Sequence, residues 1–297
     1  MGEVAYNMEE NLTDFISLIP SDLERTIITE MIISKHYPED LLIFFRNYEK
    51  SLNTNDVDDM EYSKCILLRC IVQSSIDYCH KIFIDSFEQL STEKAKLLVK
   101  TNDIAQGSTN IKNSSLVYGD IDYFSFAHIL QLIDPQPNEI FTDLGHGTGR
   151  ALICTHLLYG SVLKEIRGIE LLPELQQACV DVLERYQRKR TSLPQVFGRH
   201  TCTITAELGN ILDDTQTEIE GESRVRWTES DIVFANSTCF DDSLMISISH
   251  LAEQLKPGAK IITLTKPLSS TCFEILDSRR YAMSWGAATC YIHRKKI

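Results

Sequence analysis

Ten consecutive residues, Phe141-Thr142-Asp143-Leu144-Gly145-His146-Gly147-Thr148-Gly149-Arg150, place an acid ahead of glycine at every second position. An apolar run enters the acid, and a helix-like segment leaves the last glycine. Glu170 stands twenty-one residues beyond Gly149, closing a second apolar run, Ile166-Arg167-Gly168-Ile169. Strand, glycine turn, helix, strand and terminal acid form the first half of a doubly wound nucleotide-binding unit. Dinucleotide folds use G-x-G-x-x-G so that a pyrophosphate can sit at the helix N-terminus. Here the pattern is D-x-G-x-G-x-G. A carboxylate before the turn repels a pyrophosphate and suits a cationic amino-acid moiety. That favours S-adenosylmethionine (SAM), which carries an ammonium and a sulfonium and no phosphate. The plainer alternative is a structural tight turn in an α/β domain.

The elements that must hold these residues follow from the alternation of the chain. Strands are predicted at Ile140–Thr142, Ile166–Ile169, Thr201–Thr205, Asp231–Ala235 and Lys260–Thr265. Helices are predicted at Phe124–Ile133, Gly149–Tyr159, Pro173–Tyr186 and Ser243–Leu255. This implies a parallel sheet covered on both faces. A terminal pair near Tyr281–Met283 and Thr289–His293 reads as an antiparallel edge hairpin. Ligands of such sheets bind beyond the carboxyl ends of the strands. Those ends carry Asp143, Glu170, Gly209-Asn210 and Asn236, in order along the chain. Asp143 can meet an ammonium, Glu170 both ribose hydroxyls and Asn210 the adenine amino group, while Asn236 faces the reacting methyl. Four polar strand ends in this order are much harder to explain as coincidence than the glycine turn alone.

Residues 1–113 read as a helical N-terminal region ahead of a domain at 114–297. Ser21-Asp22-Leu23-Glu24 is a capping box, Pro38-Glu39-Asp40 opens a further helix, Tyr62–Phe87 reads as a long one and Thr92-Glu93 begins another. Asn102–Ser115 reads as a connecting loop, and Asp213–Glu229 as a polar insertion. No apolar run approaches the ~18 residues of a membrane span. Nine cysteines are scattered without a C-x-x-C pair, which speaks against a zinc site or a disulfide framework and for a reduced, intracellular protein. The net charge of −13 argues against binding bare nucleic acid and permits a basic protein partner. Basic residues cluster locally at Arg185–Arg190 and Arg294–Lys296. The bland reading of both clusters is a solvated surface with favourable helix-dipole charge.

Further segments resemble one family. Leu116-Val117-Tyr118-Gly119-Asp120 resembles the V-Y-G-E motif of the disruptor-of-telomeric-silencing family, the non-SET methyltransferases of a nucleosome-core lysine of histone H3. The glycine turn is similar to that family's D-L-G-S-G-V-G, Gly168-Ile169-Glu170 to G-V-E, and Gly209-Asn210-Ile211-Leu212 to G-D-F-L. Phe234–Phe240 resembles F-x-N-N-F-x-F, Lys266-Pro267-Leu268 resembles K-P-F, and Ser284-Trp285 with Tyr291-Ile292-His293 resembles the closing S-W … Y-L-H. The likeness runs from about Ser115 to the C-terminus, and the absence of a long basic tail is similar to the short members of kinetoplastid protists. Asp120 stands where the family has glutamate, Asn210 where it has aspartate, Thr238 where it has an aromatic residue and Leu268 where it has phenylalanine.

The resemblance implies a seven-stranded, Rossmann-like SAM-dependent methyltransferase sheet behind a helical N-terminal domain. It implies histone H3 lysine N-methylation in nucleosomes, at lysine 79 or its equivalent, in the nucleus. S-adenosylhomocysteine (SAH) is the product, no metal is needed, and a monomer without membrane association is expected. Cofactor contacts fall on Tyr118, Asp120, Asp143, Gly145, Gly147, Gly149, Glu170, Asn210, Ile211 and Asn236. Asn236 would orient the amine, with Phe240, Trp285 and Tyr291 as channel walls. The alternatives are a non-histone protein lysine as substrate, or an inactive SAM-binding scaffold that recruits partners through its N-terminal region. A base methyltransferase fits less well, because Asn236-Ser237-Thr238-Cys239-Phe240 lacks paired prolines.

Overall fold

In the computed structural model, residues 79–105, 119–191, 202–213 and 226–297 are described. The capping box at Ser21, the helix from Pro38, most of the helix from Tyr62, Leu116 to Tyr118 and the centre of the polar insertion lie outside them. The elements below belong to one compact unit, residues 83–189 and 201–297. Its helices are α1 (Thr92–Ala105), α2 (Tyr123–Ile133), α3 (Arg150–Tyr159), α4 (Pro173–Thr191) and α5 (Asp242–Ala252). Its strands are β1 (Ile140–Leu144), β2 (Glu165–Glu170), β3 (Thr203–Leu208), β4 (Ile232–Ala235), β5 (Lys260–Leu264), β6 (Phe273–Met283) and β7 (Gly286–Lys295).

The seven strands form one sheet in the order β3-β2-β1-β4-β5-β7-β6. Strands β1 to β5 run parallel, and β7 lies antiparallel between β5 and β6. The expected seven-stranded methyltransferase-type sheet with its terminal edge hairpin is thus present. The strand order reverses between β1 and β4, and such a switch point opens a crevice at the carboxyl ends of the strands. One face is filled by Val233, Ala235 and Ile261 of the sheet against Met245, Ile248 and Ala252 of α5. On β4, Phe234 alternates to the other side and meets Phe126 of α2, with ring centroids 4.8 Å apart. Asp122 and Asp241 cap α2 and α5 through the backbone N–H groups of Ser125 and Leu244.

Several boundaries differ from the sequence reading. Helix α1 extends through Ala105, beyond the expected loop start at Asn102, and its Val99 packs on Leu172 and Leu175 beside α4. Helix α4 continues past Tyr186 to Thr191. Its basic residues Arg185 and Lys189 donate to the carbonyls of Ser86 and Asp85, at 3.4 and 2.7 Å. In the C-terminal cluster, Arg294 pairs with Glu274, and Lys295 and Lys296 donate to the carbonyls of Glu253 and Thr271. Much of both basic clusters therefore holds the fold's own backbone and carboxylates.

The closing histidine of the sequence, His293, has a structural task. It is buried on β7 and accepts from the Leu268 N–H through Nε2 at 3.2 Å, while Nδ1 faces the Ile261 carbonyl at 3.1 Å. The two contacts fix a neutral ring protonated on Nδ1. Burial pushes its pKa below the ordinary histidine range. The unfolded chain therefore takes up a proton before the folded one does. The associated stability is present above about pH 6.5 and is lost as pH falls through the lowered folded value. The urea midpoint is expected to fall as pH drops below that range, and His293→Gln should show a shallower slope. Identical slopes for the two proteins would remove His293 from the account.

Candidate active site

The glycine turn leaves β1 and opens α3. Gly145, Gly147 and Gly149 have φ of 80°, 56° and 86°, a left-handed region that side chains rarely enter. A Cβ on Gly149 would also lie 2.6 Å from Cys179 Sγ of α4, so this glycine lets helix and turn approach. The turn is braced from β2. The N–H groups of Gly145 and His146 point at the Ile169 carbonyl, at 2.8 and 3.2 Å. Glu170 accepts from the Gly147 N–H through one carboxylate oxygen and from the Leu172 N–H through the other, both at 2.9 Å. Each oxygen keeps a lone pair for a ligand hydroxyl.

Asp143 occupies a different electrostatic position. It lies within β1, in register with Gly168 and Phe234, one residue earlier than a strand end. It is buried to 3% exposure, and its Oδ1 has no hydrogen-bond partner. Burial first, and the nearby Glu170 second, push its pKa well above the usual carboxylate range. A buried, unpartnered carboxylate facing a cavity is costly unless a cation arrives.

The mouth is built from three distant segments. Asn236, just after β4, donates through Nδ2 to the Gly119 carbonyl at 2.8 Å. The Asp120 carbonyl accepts from the backbone N–H and the hydroxyl of Ser284, in the β6–β7 turn, at 3.3 and 2.8 Å. The Trp285 indole lies on Gly119 so closely that a Cβ there would be 2.7 Å from Cε3. The Asp120 carboxylate takes a hydrogen bond from the Thr92 hydroxyl at the start of α1 and sits 2.9 Å from Arg150 Nε. Phe240 covers Gly145, and its carbonyl accepts from Lys266 Nζ at 2.8 Å. Lys266 also pairs with Asp242. It therefore anchors the loop that carries Phe240.

Among the expected site residues, Asp120, Asp143, Gly145, Gly147, Glu170, Asn210, Ile211, Asn236 and Phe240 line one cavity. Gly149 shapes the turn beneath it, and Tyr118 lies outside the described residues. Asn210 is exposed, and its Oδ1 accepts from the Leu212 N–H at 3.0 Å, an Asx turn that spends one acceptor direction on the loop. Trp285 and Tyr291 are not in the cavity wall. Trp285 reaches it through Gly119, and Tyr291 is a half-buried β7 residue in register with Thr263 and Ser278. Asn236 flanks a short 3-10 turn, Ser237–Cys239, without a side-chain cap bond, and α5 is capped by Asp241 instead.

Arg150 and three leucines of the lining escaped the sequence reading. Arg150 is the first residue of α3 and stacks over Phe87 with its guanidinium carbon 4.3 Å from the ring centroid. Leu172, Leu175 and Leu244 supply apolar wall. Arg150 could have been singled out as the one cation adjoining the glycine turn. His146 sits over Gly168, and its Nε2 donates to Gln176 Oε1 at 2.7 Å. The Gln176 amide is oriented by its own bond to the Ala206 carbonyl. Among the described residues, no group of three or more His, Cys, Asp or Glu is arranged to hold a metal ion.

This set of groups fits a ligand with a cationic end and an adenosyl-like body. Asp143 offers an unpartnered carboxyl oxygen, Glu170 offers acceptors one strand away, and Ile211, Leu172 and Phe240 offer flat apolar surface. Comparison with known proteins points the same way. The sequence model of a family described as histone methylation protein DOT1 matches residues 97–284. A histone-lysine N-methyltransferase of Dictyostelium discoideum, H3 lysine-79 specific, is 27% identical over 177 residues, covering 59% of this chain and 9% of that protein. Proteins of the same description from Cryptococcus neoformans and Caenorhabditis elegans are 28% and 29% identical, over 58% and 54% of this chain and 24% and 16% of their own. The match spans less than a quarter of each of these three relatives.

Proposed function

This chain belongs to the DOT1 family of histone methylation proteins, and on that premise we propose that it methylates a lysine of histone H3 in the nucleosome core, the equivalent of lysine 79, using SAM. The observation that carries the reading is the unpartnered Asp143 buried beside the glycine turn, within the segment the family model matches. We take residues 114–297 as the catalytic domain, with α1 as a buttress that reaches the site through Thr92.

The cofactor supplies an electrophilic methyl on a sulfonium; everything else falls to this chain. Asp143 would hold the ammonium end, and Glu170 would use its remaining lone pairs for the ribose hydroxyls. The apolar wall of Ile211 and Leu172 would take the base, and Asn210 at the loop edge would meet its amino group. The acceptor must be a neutral amine, and deprotonating a lysine at pH 7 costs roughly 4–5 kcal/mol. An apolar mouth at Phe240 lowers that cost by desolvation. Asn236 presents Oδ1 to the amine, because its Nδ2 is fixed on the Gly119 carbonyl. The amine proton would leave to water, so the chain's main task is to align the amine with the cofactor's methyl. Trp285 supports the mouth by holding Gly119, and Tyr291 supports the adjoining hairpin.

A basic protein partner accords with the chain's charge of −13, which favours histone over bare nucleic acid, and a nuclear location follows from a histone substrate. Incubation of the protein with SAM and either reconstituted nucleosomes or free histones, followed by mass spectrometry, tests the substrate. Methyl addition to H3 within nucleosomes supports the reading. Addition only to other proteins would move the function to a non-histone lysine, and SAM binding without any addition would make the chain a scaffold.

A further inference from the structure

Three successive residues at the end of β5 are fastened to the loop that carries Asn236. Ser237 donates its hydroxyl to the Leu264 carbonyl at 2.7 Å and accepts from the Leu264 N–H at 3.1 Å. Thr265 donates its hydroxyl to that of Thr238 at 3.1 Å. Lys266 holds the Phe240 carbonyl. The first and third ties already fix where the loop lies. The middle one comes at a cost in backbone conformation. Thr265 has φ of 70°, and the Lys266 N–H closes on the Leu264 carbonyl at 2.8 Å, a three-residue turn centred on a β-branched residue. Asp134 and Asn138, the other non-glycine residues of positive φ among those described, are of types that tolerate it; threonine is strained there, and glycine is not. Thr265 is exposed, so burial does not explain its side chain. The hydrogen bonds do. By donating to Thr238, Thr265 turns the Thr238 proton toward Asn236 Oδ1, 3.4 Å away. Asn236 Nδ2 is fixed on the Gly119 carbonyl at the other end of the amide. Thr238 stands where the family motif has an aromatic residue, so this chain of hydroxyls is a feature of the sequence in hand.

We propose that Thr265 is a positioning residue for methyl transfer, fixing through Thr238 the direction of the Asn236 carbonyl that meets the incoming amine. The Thr238 proton takes one lone pair of Oδ1, and the tie to Gly119 sets the amide plane, so the second lone pair keeps one direction. Neither threonine touches the reacting atoms. Strain held at Thr265 is thereby exchanged for order at the mouth. This rests on the proposed role of Asn236 toward the amine.

The test compares Thr265→Gly, Thr265→Ser and Asn236→Ala in the full chain, with labelled SAM and reconstituted nucleosomes, alongside thermal scans and SAH calorimetry. Thr265→Gly relieves the strained φ, so its Tm should lie within about 2 °C of wild type or above it. Its kcat should nevertheless fall about 10-fold, the effect of a misaligned reacting group, with nucleosome KM and SAH affinity within about threefold. Thr265→Ser restores the hydroxyl and should recover most of the loss. In an Asn236→Ala background, Thr265→Gly should lower kcat by less than about twofold further, because the residues act as one unit. Wild-type kcat in Thr265→Gly, a loss that serine does not recover, a fall in Tm alongside the loss, or full additivity with Asn236→Ala would overturn the proposal. Undiminished kcat in Asn236→Ala would overturn the role of Asn236 beneath it, and an inactive wild type would overturn the substrate reading beneath both.

Discussion

Asp143→Asn is expected to make the unliganded protein more stable and nearly abolish cofactor binding. The carboxylate is buried to 3%, its Oδ1 has no partner, and Glu170 adds repulsion. Leaving such a group unsatisfied costs roughly 1–3 kcal/mol, and the amide removes the charge at almost the same volume. In a domain of this size each kcal/mol moves Tm by about 2–4 °C. The sign of the pH dependence is fixed. The folded pKa of Asp143 is raised, so its contribution is fully present below the unfolded value of about 3.9 and is lost as pH rises through the folded value. The stability gap between variant and wild type should therefore open with increasing pH. Removing one partner of a buried ion pair is strongly destabilising, so cofactor affinity should fall about 100-fold or more. Thermal scans with and without SAH read both effects. A less stable variant that binds SAH normally would show that Asp143 is part of the core and not of the site.

Asn236→Ala should separate turnover from binding. The side chain spends Nδ2 on Gly119 and takes only a long contact, 3.4 Å, from the Thr238 hydroxyl at Oδ1. Gly119 and Asp120 keep their ties to Trp285 and Ser284 in the variant, so the cofactor end of the cavity stays formed. What is lost is the fixed carbonyl proposed to orient the amine. Loss of one preorganised polar group at a reacting centre costs about 100- to 1,000-fold in turnover. We expect kcat to fall on that scale with SAM affinity within a few-fold of wild type. Parallel losses in kcat and affinity would make Asn236 a structural tie only.

The parallel core was legible because its signals are local. Apolar runs bounded by Gly145, Glu170 and Asn236 mark strand ends whatever their neighbours, and the sheet brings those ends to one crevice. The place of Asp143 beside the glycine turn was legible, but its burial inside β1 was not, since the apolar run stops at its side chain while the backbone pairing does not. The clamp on Asp120 was illegible. It joins Thr92, Arg150 and Ser284 across long stretches of chain, and nothing in their spacing announces a meeting. Trp285 and Tyr291 were assigned to the channel by motif alone. The hairpin instead turns Trp285 onto backbone and gives Tyr291 a place in the register of β7. His293 shows the reverse: its motif was visible, and the fold supplies the reason, a neutral ring joining β7 to Leu268 and Ile261.

The proposed reaction is methyl transfer to one nucleosomal H3 lysine. Labelled SAM is offered to reconstituted nucleosomes, to free H3, and to nucleosomes whose H3 carries arginine at the lysine-79 position. Incorporation into nucleosomal H3 that disappears with the arginine substitution is expected. Undiminished incorporation into the substituted nucleosomes, or none into any sample while SAM binding is intact, would contradict it.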